Sequence, residues 1–168
     1  LGDVYKRQLE KKMSEWVLLL GGSTGHGAAT AKRLAQDGFG IIAFHFDRGD
    51  AKKIAEETIA EVNDITKGHC HYFNTNAASE KSMDRYIPKI NEITNGKPLK
   101  LLLHSIAFGT TTNFFGEKPV TQRQMDMTVH VMGNSLLYWT QKLHQAKLLS
   151  KGSRIIGLPS EGNYLAME

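Results

Sequence analysis

The sequence predicts an α/β protein: a doubly wound parallel sheet covered by helices on both faces, in three layers. Three observations carry that prediction. From Met13 onward, short apolar runs alternate with longer amphipathic segments, the order produced when each strand is followed by a helix that returns the chain to the start of the next. The apolar run Trp16–Leu20 is short enough for a buried strand and ends at Gly21, where Gly21, Gly25 and Gly27 lead straight into a helix-forming segment. A second apolar run, 41–46, follows that helix, completing a strand, turn, helix and strand.

In chain order, the first strand is Trp16–Leu20, followed by a helix over 27–37 that Gly38 terminates. The second strand is 41–46. The next helix, 50–67, has Ile54, Ile59 and Val62 on one side and Lys52, Lys53, Glu56, Glu57 and Glu61 mostly on the other. A short third strand covers 69–73. The helix over 79–94 has Ser79 as its N-cap and turns Met83, Ile87, Ile90 and Ile93 to the core, with a bend or break expected at Pro88. The fourth strand is 99–106, and a loop rich in Thr, Gly and Phe leads to a long helix over 122–149. The fifth strand is 154–158.

Composition narrows the function classes. A length of 168 residues fits one domain. The net charge of +4 is half accounted for by residues 1–12, which hold four basic and two acidic side chains; the remaining +2 forms no basic block, so nucleic-acid binding is not expected. No apolar run approaches the ~18 residues of a membrane span. The single cysteine, Cys70, leaves no Cys-x-x-Cys site; no bound metal is expected, and a cytoplasmic setting is. Residues 1–12 read as a non-native or disordered extension before a native start at Met13.

The glycine turn carries the chemistry. A tight turn feeding a helix N-terminus gathers free backbone N–H groups and the positive end of the helix dipole at one spot, which suits a phosphate or pyrophosphate. Gly21 permits the turn, Gly25 lets a ligand approach the backbone and Gly27 lets the helix pack closely. Ser23, Thr24 and His26 lie within the same turn.

These residues resemble the short-chain dehydrogenase/reductase superfamily, whose Gly-x-x-x-Gly-x-Gly motif Gly21, Gly25 and Gly27 match. The resemblance covers residues 13–168 and implies a Rossmann-like NAD(P)-binding domain, here truncated at its C-terminal side. Asn76-Ala77 stands where the superfamily commonly has Asp-Val against the adenine ring. Where most members have Asn-Asn-Ala-Gly after the fourth strand, this chain has His104-Ser105-Ile106-Ala107-Phe108. That pentapeptide is similar to the enoyl-acyl-carrier-protein reductases, which reduce the carbon–carbon double bond of enoyl thioesters in fatty-acid synthesis, and places Ser105, Ile106 and Ala107 beside the cofactor. Val129-His130-Val131-Met132-Gly133 occupies the place of a helical Val-Asn-x-x-Gly, with His130 read as a packed residue.

Cofactor choice in such folds follows the tip of the second strand, where a carboxylate selects NAD and a basic residue accommodates the 2′-phosphate of NADP. His45 stands at the expected acidic position, with Asp47 and Arg48 close behind, so NADP(H) is favoured over NAD(H). Ser160 matches the superfamily's Ser after the fifth strand and is the catalytic candidate. The resemblance places the catalytic Tyr and Lys past or at the edge of Glu168, because Tyr164 comes too early and no Lys follows Lys151. The chain is therefore expected to be the N-terminal two-thirds of a homo-oligomeric enzyme, itself inactive, acting on an acyl thioester or a small carbonyl substrate. The alternatives are a 3-oxoacyl or ketone reductase of the same superfamily and a dinucleotide-binding regulator without chemistry.

Overall fold

The computed structural model describes residues 15–158. Its strands are β1 (Trp16–Leu20), β2 (Gly40–His45), β3 (Cys70–Asn74), β4 (Leu101–His104) and β5 (Arg154–Gly157), in the sheet order β3-β2-β1-β4-β5. Every neighbouring pair is parallel. The helices are α1 (Gly25–Gln36), α2 (Ala51–Thr66), α3 (Glu80–Ile93), α4 (Gln122–Val129) and α5 (Ser135–Gln145), the last two joined by a π-helical turn, His130–Asn134. The doubly wound class expected from the alternation is the one observed.

Alternate residues of the sheet feed separate cores, as the two-residue period of a strand requires. Leu18, Leu20, Ile42, Phe44 and Leu102 pack against Met83 and Ile90 of α3 and Trp139 and Leu143 of α5. Val17, Leu19, Ile41, Ala43 and Leu103 pack against Ala31 and Ala35 of α1 and Val62 of α2. With both faces covered, β1 is apolar throughout, and burial of each such side chain contributes roughly 1.5–3 kcal/mol. β1 pairs with β2 on one side and β4 on the other. The winding reverses there, opening a crevice beyond the carboxyl ends of the strands.

Several boundaries differ from the sequence reading. β4 stops at His104, and residues 105–108 leave the sheet to border the crevice. β2 runs one residue earlier, so Phe46 lies beyond the strand and half exposed. In α2 the buried positions are Ala55, Thr58, Val62 and Thr66, and Ile54 faces solvent; the small residues lie on the inner stripe, which a reading weighted toward large side chains misses. No break occurs at Pro88. α3 runs through it because Met83 and Ile90, buried to either side, hold both halves to one core. The predicted 122–149 helix is interrupted by the π-turn and ends at Gln145.

Candidate functional site

The glycine turn closes on itself and on β2. The N–H groups of Gly21 and Gly22 both donate to Phe44 O, at 2.9 and 3.0 Å. Gly21 has φ +91°, and a Cβ there would sit 2.4 Å from Ser105 O. A Cβ on Gly27 would sit 1.7 Å from Gly21 O. Turn, first helical turn and β4 exit thus meet at backbone distance. Thr24 is the N-cap of α1 but its side chain makes no cap bond, and the first turn carries no acidic residue. The leading N–H groups of a helix have no intrahelical partners, so this end of α1 retains its donors and its positive potential for an anion.

Above the turn lies a cavity of about 500 Å³, bordered by Gly21, Ser23, Thr24, Gly25 and His26 on one wall and by Ser105, Ile106, Ala107 and Phe108 on another. Thr75, Asn76, Ala77, Ala78 and Ser79, after β3, close a third side, and Met127, His130 and Val131 a fourth. Asn76 folds its side chain back, its Oδ1 accepting from Ala78 N–H at 2.9 Å, which leaves its amide N–H groups free to donate outward. Beneath the cavity, buried His104 lies 2.9 Å by its Nε2 from Ser135 Oγ, and desolvation holds its pKa below the ordinary value of 6.5.

At the tip of β2 a polar cluster joins two walls. Ser23 Oγ donates to Asp47 Oδ2 at 2.6 Å, and His45 Nδ1 lies 2.8 Å from the same oxygen. Asn74 Nδ2 donates to Asp47 O at 3.1 Å. The carboxylate is thereby drawn inward, toward the glycine turn. Arg48 takes the outer position, its guanidinium 4.5 Å from the Phe46 ring centroid.

A family model described as short chain dehydrogenase matches residues 15–163. The chain belongs to that family. A search of curated proteins returned no match. Among solved structures, the fold is similar to a short-chain dehydrogenase/reductase from Serratia marcescens, with TM-score 0.72 and 22% identity over 90% of this chain and 58% of that one. It is also similar to a short chain dehydrogenase from Burkholderia cenocepacia in complex with NADP, with TM-score 0.65 and 21% identity over 86% of this chain and 54% of that one. The chain therefore spans little more than half the length of these short-chain dehydrogenases.

In this member of the short-chain dehydrogenase family, the sequence-predicted residues Gly21, Ser23, Thr24, Gly25, His26, His45, Asn76, Ala77, Ser105, Ile106 and Ala107 converge on one cavity. Gly27 lies just beneath it, against the Gly21 carbonyl. Arg48 does not border it; the arginine rests on Phe46 outside. Ser160 lies outside the described residues. Phe108 borders the cavity, whereas Phe114 and Phe115 stand exposed away from it. Four further lining residues were given no place in the site by the sequence: Met127, Val131, Asp47, which lies two residues past His45, and His130, which was read as a packed residue. The helical period that would have directed His130 outward is broken by the π-turn, which leaves no local signature. Cys70 is half-buried, and burial pushes its thiol pKa up, in keeping with a packed thiol.

Proposed function

We propose that this chain supplies the dinucleotide-binding part of an NAD(P)H-dependent reductase, and that the whole enzyme reduces an enoyl thioester in fatty-acid synthesis. The observation that carries the first half is the crevice at the sheet's switch point. Its glycine wall admits no Cβ at positions 21 and 27, and its helix end keeps its N–H donors, so the residues present fit a pyrophosphate. When bound, a reduced nicotinamide supplies a hydride. The chain's own contribution is placement. The turn at 21–27 binds the phosphates, the segment 76–79 borders the adenosine end, and residues 105–108 support the reactive end. The pentapeptide His104 to Phe108 supports the enoyl-reductase branch. The acid that protonates the product belongs, in this reading, to a part of the enzyme outside the described residues, with Ser160 at its edge.

We assign NADPH as the preferred cofactor. His45 stands where an NAD-selecting carboxylate is expected, the Asp47 carboxylate is engaged by Ser23 and His45, and Arg48, stacked on the lining residue Phe46 just outside the cavity, is the neighbouring cation. The single free thiol suits a reducing compartment, and the reaction is placed in the cytoplasm. A homo-oligomeric parent accords with Leu137 and Tyr138 standing exposed on α5. Two measurements test the reading. Fluorescence titration of the chain should show NADPH binding tighter than NADH; equal or tighter NADH binding overturns the preference, and no binding of either overturns the site. The parent enzyme should turn over a crotonyl thioester in preference to an acetoacetyl thioester, and the reverse order would favour a ketone reductase.

A further inference from the structure

The α4–α5 segment is fastened to the cavity wall after β3 by two side chains. His130 Nε2 lies 2.9 Å from Ala78 O, and Trp139 Nε1 donates to Ala77 O at 2.8 Å. A carbonyl only accepts, so the first contact fixes His130 as the Nε2–H tautomer and leaves Nδ1 as the ring's acceptor. In a regular helix of 3.6 residues per turn, residues 130 and 139 lie on roughly opposite sides. The extra residue of a π-turn removes about 100° of that angle. Both side chains then reach adjacent carbonyls of one wall.

The π-turn has its own lock. Ser135 N–H reaches back to His130 O, leaving Val131 O without its α-helical partner. The Ser135 hydroxyl fills that place, donating to Val131 O at 2.7 Å. Its single proton is thereby used, so His104, 2.9 Å away, must donate to it from Nε2–H. His104 is 4% exposed and Ser135 fully buried. Without its partners in this chain of bonds each group would be left unsatisfied, away from water.

Resting on the dinucleotide reading above, we propose that His130 is a ligand-contacting residue of the cavity, and that the His104–Ser135 pair is the positioning lock that holds the π-turn and so turns His130 inward. The ligand chemistry that fits is the adenosine end of the dinucleotide. A flat imidazole with a free acceptor offers a stacking face and a partner for the exocyclic amino group of adenine.

The test compares the unaltered chain with His130→Ala, Ser135→Ala and the double variant, titrated with NADPH and with adenosine 2′,5′-bisphosphate, which lacks the nicotinamide. Each single change should weaken binding of both probes about fivefold. The double variant should bind no worse than the weaker single one, because both remove the same contact. Side-chain ¹⁵N NMR of the unaltered chain should show His104 and His130 as Nε2–H tautomers, with the His130 signature lost in Ser135→Ala. Binding by either single variant equal to that of the unaltered chain overturns the proposal. So does an Nδ1–H tautomer at either histidine, a measurement that needs no variant to fold. If the unaltered chain binds neither probe, the dinucleotide reading fails, while the tautomers and their response to Ser135→Ala still judge the lock.

Discussion

Gly21 and Gly27 meet across the turn with no space for a side chain between them, whereas a Cβ on Gly25 would meet nothing within 4 Å. The three glycines of the motif thus act through different physics. Gly27→Ala drives a methyl group into a backbone carbonyl that cannot move without opening the turn. It should cost about 3 kcal/mol of stability and abolish NADPH binding. Gly25→Ala meets only the left-handed backbone at φ +53° and should cost about 1 kcal/mol of stability, while weakening NADPH binding because the added methyl group enters the cavity that Gly25 lines. Thermal melts paired with NADPH titration separate the two. His104 yields a prediction of a different kind. Its pKa in the folded chain lies below the unfolded value near 6.5 because burial disfavours the cation. Its contribution to stability is therefore complete above that value and is lost as pH falls through the folded pKa, since the unfolded chain takes up the proton first. Denaturant melts of the unaltered chain should show stability falling on acidification below about pH 6.5. His104→Gln should flatten part of that slope, and His71, lowered in the same direction, accounts for some of the rest.

At the level of elements, the sequence read well where one interaction dominates. β1, apolar at every position and covered on both faces, was legible from its run alone, as was the glycine turn from its spacing. α2 and the segment after β4 were less so. In α2 the core accepts Ala55, Thr58 and Thr66, small side chains whose burial depends on how closely the helix approaches the sheet, which is a tertiary fact. The π-turn depends on a hydroxyl and an imidazole 31 residues apart meeting in the folded state, and no local pattern announces it. The sequence also overestimated Pro88. An exposed proline in a continuous helix lacks one hydrogen bond to Asp84 O. Pro88→Ala restores that bond and should stabilise the chain by about 1–2 kcal/mol, less than the full helix-interior cost because proline also restricts the unfolded chain. A rise in the denaturation midpoint with an unchanged denaturant slope would bear this out.

For the molecule as a whole, the two edges of the sheet differ. β5 pairs only with β4 among the described residues, and Ile155 and Ile156 stand 45% and 41% exposed on its two faces. An edge strand with apolar side chains and free backbone groups is a template for other chains. The isolated chain should therefore self-associate, and Ile156→Lys should raise the monomer fraction in sedimentation velocity without altering NADPH affinity, because β5 borders none of the cavity. Unchanged association would place the adhesive surface elsewhere.

The turn at 21–27 is closed by main-chain atoms at Gly21 and Gly27, where an added Cβ would sit 2.4 and 1.7 Å from backbone carbonyl oxygens. Side-chain drift elsewhere does not touch that closure, and a side chain at Gly21 or Gly27 leaves no graded intermediate between keeping and losing the shape. A lineage can therefore rewrite most of its surface and core and still pass this feature on intact. The most exacting positions of this turn are the ones where the chain carries no side chain at all.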